Sequence, residues 1–329
     1  MWKRRFLKIV LIVIIALLSL KSNAERMDNN SVGEEKRQTI VNTESYHFKL
    51  GNFKCIVVSN GIVEFDNPAS MLFPSAPKEQ LDQILRKHDI NQDQWKSSLS
   101  PWQFLLIDTG QKLVLLDTGI GDGFDPTVGK LIRNLQNEGI KPEDINVVIF
   151  THAHPDHIGG AVNSKRELVF PNARYVMWSS EWEFWTSETN LMKMDELWAK
   201  FAREKLPPIH GHIDLIDHEM EVLPGIRCLS APGHTVGHMI VSITSAKGQM
   251  LCFGDAFPHT ISVERPEWYS YWDNNPEQTV ITRKKLLELA TSEKALVFAC
   301  HLPFPGLGHI FQKETGYEWQ PISLEDISQ

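Results

Sequence analysis

Short apolar runs, rich in β-branched residues, recur along the chain and predict buried strands. The runs lie at residues 53–58, 104–107, 113–116, 147–150, 226–229, 239–243, 250–253 and 295–299. Segments with helical patterns separate several of them. This alternation predicts an α/β fold, with a single domain built from two βα-rich halves.

Three segments have the pattern of a helix. Residues 125–139 place apolar side chains on one face and end at Gly139, which can cap the last turn. A second helix is expected to begin near Ser180, where Glu183 would complete a capping box. A third is expected near Asn275, because a proline suited to the first helical turn follows it.

The N-terminus has the three parts of an export signal. A basic start precedes an apolar run at residues 9–20, and small residues follow at Ser22 and Ala24. The run is shorter than the ~20 residues that span a bilayer as a helix. We therefore expect an exported protein, periplasmic or secreted; an uncleaved anchor, which would be its membrane contact, is the alternative. The expected parts are a signal peptide at 1–24, a flexible linker at 25–44 and the folded catalytic domain at 45–329.

The composition is that of a globular protein, with 42% hydrophobic and 22% charged residues. The formal net charge of −8 argues against a nucleic-acid partner, since a polyanion would be repelled. A small-molecule substrate is expected instead, and a homodimer is left open.

The four cysteines each lie in an apolar, strand-like run, and buried free thiols are expected. They are Cys55, Cys228, Cys252 and Cys300. Successive strand residues point to opposite faces, so Cys300 is not expected to share the role of His301.

A cluster of chemistry-bearing side chains follows the apolar run at 147–150. Its members are His152, His154, Asp156 and His157, with Gly159 and Gly160 directly after them. Side chains at the carboxyl end of a strand occupy the crevice where open α/β sheets bind ligands. Imidazole and carboxylate are ligands for zinc and neighbouring divalent metals. Burying four such groups without a partner is costly, so this spacing predicts a metal site.

At these residues the sequence resembles the metallo-β-lactamase superfamily, and the resemblance reaches across nearly all of the expected catalytic domain. The other matching segments are 115–119 (L-L-D-T-G), 232–238 (P-G-H-T-V-G-H), 253–255 (F-G-D) and 299–301 (A-C-H). The resemblance implies a four-layer αββα sandwich with the metal site at the strand ends between its two halves.

The resemblance also implies two divalent metal ions, zinc by default, with Mn²⁺, Co²⁺ or Fe²⁺ as alternatives. The implied ligands are His152, His154 and His234 for one ion, Asp156, His157 and His301 for the other, and Asp255 between them. Taken singly, His234, Asp255 and His301 have ordinary structural interpretations as a turn residue, a capping acid and a core imidazole. Together with the first cluster they favour the metal site.

The chemistry implied by the family is hydrolysis by a metal-bridging hydroxide, so no serine or cysteine nucleophile is expected. Asp255 and Asp156 are the acids of this centre, as ligands first; steering the hydroxide's proton is a secondary role for Asp255. Asp117 is expected to orient a ligand histidine. His238 has the same interpretation, or a purely structural one.

Within the superfamily, the chain resembles methyl parathion hydrolase and its relatives, which act on aryl esters, lactones and organophosphates. The resemblance is carried by residues 124–131, 170–173 and 301–310. It implies substrate-lining roles for Phe124, Trp185 and His309, although the two aromatic residues are equally explained as core. We therefore expect a hydrolase for lactones and aryl esters, with phosphotriesters as further substrates.

Two other activities of the same fold are alternatives. A β-lactam hydrolase is disfavoured by Asp255, because zinc β-lactamases mostly lack an aspartate at that position. A mononuclear iron dioxygenase acting on persulfides is disfavoured by the complete second ligand set. Metal analysis separates this dioxygenase, which binds one ion, from the expected hydrolase, which binds two.

Overall fold

The computed structural model of the protein describes residues 44–91, 95 and 97–323. The predicted signal peptide at 1–24 and the predicted linker up to residue 43 lie outside the described residues. The described part contains two seven-stranded sheets, and each sheet is formed by one half of the chain.

The first sheet contains seven strands that lie side by side in chain order. They are β1 Ser45–Leu50, β2 Phe53–Asp66, β3 Ser97–Asp108, β4 Leu113–Leu116, β5 Val147–Ile149, β6 Arg174–Trp178 and β7 Ile213–Ile216. Neighbours from β1 to β4 are antiparallel, and those from β4 to β7 are parallel. The parallel strands bring their carboxyl ends to one edge, and the histidine cluster follows the end of β5 there.

The second sheet has the order β14-β13-β12-β11-β10-β9-β8. Its strands are β8 Met220–Leu223, β9 Ile226–Ser230, β10 Met239–Ser245, β11 Gly248–Cys252, β12 Leu296–Phe298, β13 Leu307–Lys313 and β14 Gly316–Pro321. Only the pair β11 and β12 is parallel among these described neighbours. The carboxyl ends of these two strands therefore lie at the same edge.

Helices connect the strands and cover the sheets. They are α1 Pro68–Leu72, α2 Lys78–Lys87, α3 Leu131–Asn137, α4 Pro155–Ile158, α5 Ser179–Thr186, α6 Glu188–Leu191, α7 Glu196–Ile209, α8 Ile261–Glu264 and α9 Pro276–Glu293. Short 3₁₀ turns lie at Pro142–Asp144, Gly159–Ala161, His210–His212 and Gly254–Ala256.

The apolar core is divided into layers by strand alternation. On β10, Met239 and Val241 point into a cluster shared by both sheets, whereas Ile240 points into a separate cluster with α9. On the first sheet, Leu105 faces the shared cluster and Phe104 faces α3, α5 and α7. The order is therefore helices, sheet, sheet, helix, and the predicted four-layer αββα sandwich is confirmed.

The predicted helix at 125–139 is too long. Helix α3 is confined to Leu131–Asn137. Gly129 has a φ of 78°, in the left-handed region that interrupts a helix, and Val128 instead forms a bridge with Gly61 on β2. Pairing with a distant strand, which local periodicity does not report, shortens the helix.

The two other helices begin within a residue of their predicted positions. Helix α5 starts at Ser179, but no side chain caps its N-terminus, so the predicted capping box is wrong. Helix α9 starts at Pro276, and the Asn275 side chain accepts a hydrogen bond from the Gln278 amide. The Asn275 side chain therefore caps the N-terminus of α9.

All four cysteines lie in the described residues, where they are buried and free, as predicted. Within residues 44–91, 95 and 97–323, no helix combines the length and the apolar character needed to span a membrane.

Candidate metal centre

Seven polar side chains converge at the carboxyl ends of the strands, between the two sheets. His152 and His154 follow β5, Asp156 and His157 lie on α4, His234 lies between β9 and β10, Asp255 lies in the turn after β11, and His301 follows β12. Six of them are buried, and the side chain of Asp156 is 18% exposed. These are the seven residues that the sequence predicts to meet.

The Asp255 carboxylate lies between two sets of imidazoles. Its Oδ2 is 3.4 Å from His234 Nε2 and 3.7 Å from His152 Nε2. Its Oδ1 is 3.1 Å from both His157 Nε2 and His301 Nε2. One carboxylate thus offers an oxygen to each set.

The remaining two predicted ligands complete these sets. His154 Nδ1 lies 3.0 Å from His234 Nε2, which places it with the Oδ2 side. Asp156 Oδ2 lies 3.6 Å from His157 Nε2 and 3.5 Å from His301 Nε2, on the Oδ1 side. The grouping agrees with the division into two ligand sets that the sequence implies.

The nitrogen atoms aimed into this cluster fit a metal. In the part of the chain that the structure describes, His152 Nε2 and His157 Nε2 are buried and make no hydrogen bond. A buried imidazole nitrogen without a partner is costly unless a cation takes its lone pair. With five imidazoles and two carboxylates around it, the cluster has the donor chemistry of zinc and similar divalent ions.

Two of the buried groups, His152 and Asp255, have charge states that suit metal binding. Burial and the neighbouring His157 hold the pKa of His152 well below its usual value, so the ring stays neutral. Burial opposes ionisation of Asp255, but the nearby His157 and His301 outweigh it and hold the pKa of the carboxyl well below its usual range. Neutral imidazole and ionised carboxylate are the forms that bind metals.

Asp117 orients His157, as the sequence predicts. Its Oδ2 is 2.9 Å from His157 Nδ1, so the ring donates there and presents Nε2 to the cluster. The same carboxylate accepts hydrogen bonds from the amide and the hydroxyl of Thr151, both at 2.8 Å. Asp117 adopts a left-handed φ of 60° to reach these partners.

His238 supports the backbone of Asp255. The Asp255 amide donates to His238 Nε2 at 3.1 Å, and the opposite ring nitrogen donates to the Ala231 carbonyl at 3.1 Å. Burial and the nearby His234 lower the pKa of His238 to about 3, which keeps the ring neutral. Of its two predicted interpretations, the geometry favours orientation of a ligand.

A second orienting acid, Asp273, was not predicted from the sequence. Its Oδ1 is 2.8 Å from His234 Nδ1, and its side chain is fully buried. Burial opposes protonation of His234, but hydrogen bonds with Asp255 and Asp273 outweigh it and raise the pKa to about 9. Asp273 lies in a loop before α9 without a distinctive motif. It can be recognised only by looking for acids close to each ligand in the folded structure.

Glu181 is another buried acid that the sequence did not indicate. Its Oε1 accepts hydrogen bonds from the Ala153 amide at 2.9 Å and from Trp185 Nε1 at 2.8 Å. Its Oε2 accepts one from the Gly237 amide at 2.8 Å. The side chain therefore joins the loop of His152 and His154 to the loop that carries His234.

Cys300 requires a correction. Its Sγ lies 3.1 Å from Asp255 Oδ1, and the thiol belongs with His157, Asp255 and His301 to a group whose ligand atoms are within 4.8 Å of one another. The prediction that Cys300 faces away from the site of His301 is wrong. Strand β12 ends at Phe298, so the alternation of side chains stops before residues 299–301.

The predicted substrate-lining residues have different positions. Trp185 is buried, and its ring lies edge-on to His154, with centroids 5.6 Å apart. Trp198, which was not predicted, lies closer to His154, at 4.4 Å, and stacks on Trp185. Phe124 is 46% exposed and contacts Phe201, at a loop rather than in the core.

His309 is not part of the site. His309 lies on β13 opposite Gln320 of β14, and its Nδ1 is 3.1 Å from the Ala295 carbonyl. Ala295 precedes β12, whereas His301 follows it, so His309 lies at the opposite end of that strand. His309 is close to His301 in sequence, but β13 runs antiparallel to β12 and carries His309 away from the metal ligands.

His210 and His212, the two histidines of the loop after α7, lie in a 3₁₀ turn and are exposed.

The family model of the metallo-β-lactamase superfamily matches residues 103–301, a range that includes all seven converging side chains. An N-acyl homoserine lactonase of Bacillus thuringiensis is 26% identical over 224 residues, which are 62% of this chain and 82% of that protein. An N-acyl homoserine lactonase of Bacillus cereus is 26% identical over 239 residues, which are 67% of this chain and 84% of that protein.

Solved structures resemble the fold closely. AidC, a dizinc quorum-quenching lactonase in complex with a product, superposes with a TM-score of 0.76 at 28% identity, over 85% of this chain and 97% of that one. The hydrolase AbOPH of the β-lactamase superfamily superposes with a TM-score of 0.77 at 24% identity, over 85% of this chain and 98% of that one. The second likeness concerns the fold alone.

Proposed function

The chain belongs to the metallo-β-lactamase superfamily and is a metal-dependent hydrolase, and we propose that it opens the ring of lactones with two divalent ions bound, zinc in the first place. N-acyl homoserine lactones are the first candidate substrates, because they are the substrates named for its relatives in Bacillus. Aryl esters and phosphotriesters are proposed as further substrates of the same centre.

The observation that carries this proposal is the position of Asp255. Its two oxygens face two different imidazole sets at 3.1 to 3.7 Å, which is the arrangement expected of a carboxylate shared by two ions. We propose that His152, His154 and His234 hold one ion, and that Asp156, His157 and His301 hold the other.

Two ions held by these residues would activate water as the nucleophile and polarise the carbonyl of a substrate. The residues of the chain supply the rest of the arrangement. Asp117 and Asp273 fix the tautomers of His157 and His234, so that each ring keeps a lone pair for a ligand bond. Asp255, ionised and supported by His238, is also the group best placed to take part in the movement of the water proton.

The wall beside His154 supports a substrate with an apolar part. Trp198, which is partly exposed and stacks on the buried Trp185, presents apolar surface next to one ligand set. An acyl chain against Trp198 would be held by burial of its methylene groups, at roughly 0.8 kcal/mol for each. This favours N-acyl lactones over lactones without a side chain.

The test is a substrate panel on protein of known metal content. We expect hydrolysis of N-acyl homoserine lactones that a chelator abolishes, and loss of activity in the double variant His152→Ala with Asp255→Ala. The exposed His210→Ala is the matched control and should retain activity. Full activity in the double variant, or a two-metal wild type that opens no lactone, would refute the proposal. Faster turnover of the β-lactam nitrocefin than of any lactone would replace it with β-lactam hydrolysis.

We also propose that the protein is exported, on the strength of the basic start, the apolar run at 9–20 and the small residues at Ser22 and Ala24. N-terminal sequencing of the protein recovered outside the cytoplasm should begin at Glu25. A protein that stays in the cytoplasm at full length would contradict this.

A further inference from the structure

Arg283, on helix α9, is a charged side chain with no exposed surface and is the largest fully buried side chain of the described residues. A guanidinium taken out of water is costly unless its donors are paired. A guanidinium in the core therefore needs hydrogen-bond acceptors around it, and it holds those acceptors in fixed positions.

Each branch of the guanidinium has such a partner. Nε donates to the Ala256 carbonyl at 2.5 Å and Nη1 donates to the Trp268 carbonyl at 2.7 Å. Nη2 donates to Asp273 Oδ2 at 3.2 Å. The planar fork thus connects the turn after β11 with the loop before α9.

Both connected segments lead directly to the metal centre. Ala256 is the residue after Asp255, in the same 3₁₀ turn. Asp273 holds His234 through a hydrogen bond of 2.8 Å to Nδ1, and its other oxygen accepts from the Ser270 amide at 2.7 Å. A single buried cation therefore fixes the backbone next to one predicted ligand and the acid that orients another.

We propose that Arg283 and Asp273 are positioning residues for the His152, His154 and His234 set. This rests on the proposed two-metal function. Asp117 has the equivalent place on the other set, where it orients His157 together with Thr151. Each half of the sandwich then contains its own orienting acid, so the two ions can be weakened one at a time.

The geometry explains why Asp273 needs the arginine. Arg283 Nη2 and the Ser270 amide both donate to Oδ2 and fix the carboxylate, so that Oδ1 stays in place as the acceptor for His234 Nδ1. The ring then offers Nε2, which lies 3.4 Å from Asp255 Oδ2, as a ligand atom.

The experiment measures the affinity for each of the two zinc ions by chelator competition on the full-length folded protein. In Asp273→Asn we expect the ion of the His152, His154 and His234 set to bind about 10- to 100-fold more weakly while the other is unchanged. Arg283→Met also frees the Ala256 carbonyl beside the shared ligand Asp255, so it should weaken both ions, that of the His234 set more strongly. Asp117→Asn should weaken the other ion. The Co²⁺ absorption spectra of the ion that remains should therefore differ between Asp273→Asn and Asp117→Asn, since one set has three imidazoles and the other has two.

Two further variants separate positioning from stability. Arg283→Lys keeps the positive charge beside Asp273 and should recover part of the affinity lost in Arg283→Met. Lys284→Met, an exposed neighbour on the same helix, is the matched control and should bind both ions as the wild type does. Circular dichroism and the thermal midpoint of the metal-free proteins report folding. If Arg283→Met does not fold, the isosteric Asp273→Asn decides.

The results that would overturn the inference are distinct. Wild-type affinity for both ions in a folded Asp273→Asn would remove the orienting role. Equal weakening of both ions, in step with the metal-free thermal midpoint, would assign Arg283 to general stability instead. A wild type that binds no ion at all would overturn the proposed function as well.

Discussion

At the scale of single residues, the two oxygens of Asp255 have different surroundings. Oδ2 faces His152 and His234, whereas Oδ1 faces His157 and His301. No other described acid contacts both sets. The carboxylate is therefore the one side chain whose loss affects both proposed ions.

We expect Asp255→Asn to lower lactone hydrolysis by more than about 100-fold, beyond the range typical of partners that only support a ligand. The amide has the shape of the carboxylate, but it has one acceptor oxygen and no charge. Steady-state rates and zinc content on the same sample measure the effect. Asp217→Asn changes an exposed acid that pairs with His218, and this variant should match the wild type. Two bound ions and normal rates in the Asp255 variant would contradict the shared-ligand role.

His259 is a half-buried imidazole outside the metal centre. Its ring lies edge-on to Phe73 at 5.6 Å, and its Nδ1 accepts a hydrogen bond from the Ile261 amide at 3.1 Å. Burial and the neighbouring His88 lower the pKa of His259 from 6.5 to about 4. His88 itself is paired with Glu264, at 2.6 Å.

This histidine should make the fold sensitive to acid. In the unfolded chain this imidazole binds a proton below pH 6.5, whereas native His259 binds one only below about pH 4. The free energy of unfolding therefore falls as the pH falls from 6.5 to 4. The contribution is at most about 3 kcal/mol. Urea unfolding of metal-free His259→Asn should show a smaller loss between pH 7 and 4.5 than the wild type does.

The control for this experiment is His218→Asn, because His218 is exposed and pairs with the exposed Asp217. Its stability should follow the wild-type pH profile. Parallel profiles for His259→Asn and wild type would show that His259 does not titrate differently in the native and unfolded states.

At the scale of elements, the loop after β4 and the turn after α4 approach closely enough to share backbone hydrogen bonds. The Thr118 amide donates to the His157 carbonyl at 2.7 Å, and the Gly160 amide donates to the Gly119 carbonyl at 2.8 Å. A Cβ on Gly160 would lie 2.1 Å from the Thr118 carbonyl oxygen. The glycine pair after the histidine cluster is therefore explained by this close approach.

Gly160→Ala should destabilise the protein by about 1–3 kcal/mol, because backbone has to move to admit the methyl group. Zinc content should also fall, since the displaced backbone carries His157. The urea midpoint and metal analysis measure both effects. Gly211→Ala is the matched control, because a Cβ there meets nothing within 4 Å. A variant with the stability and zinc content of the wild type would show that the two loops can separate freely.

At the scale of the whole molecule, the proposed ions lie between the two halves of the sandwich. The first half contributes His152, His154, Asp156 and His157, and the second contributes His234, Asp255 and His301. Binding then joins two sheets that otherwise meet through apolar contacts. Metal should therefore stabilise the fold as well as serve catalysis.

We expect zinc to raise the thermal midpoint of the metal-free protein. Ligand at about 100 times its Kd adds roughly 2.7 kcal/mol, which corresponds to about 5 °C or more for a domain of this size. Differential scanning calorimetry with and without a chelator measures the shift, and Asp255→Asn should show a smaller one. An unchanged midpoint at saturating zinc would mean that the ions do not bind the folded state preferentially.

The sequence predicted eight of the fourteen described strands, because a buried strand is marked by a local apolar run, and it did not predict β1, β6, β7, β8, β13 and β14. It also predicted the start of α9 beside Asn275, which depends on neighbouring residues alone. The helix at 125–139 was predicted too long, since pairing of Val128 with Gly61 overrides the local pattern. The sequence placed His309 in the site because it lies near His301 in the chain. The antiparallel strand β13 instead carries it to the opposite end of β12.

The sequence by itself showed the first cluster, three imidazoles and one carboxylate after an apolar run, since residue types and short spacings are local properties. The roles of His234, Asp255 and His301 and the division into two sets followed from the resemblance to the metallo-β-lactamase superfamily. Only the tertiary structure decided which oxygen of Asp255 faces which set, that Cys300 lies against that carboxylate, and that Asp273, held by Arg283, orients His234. These contacts join residues far apart in the chain. Their distances are set by sheet pairing and side-chain packing, which no local pattern encodes.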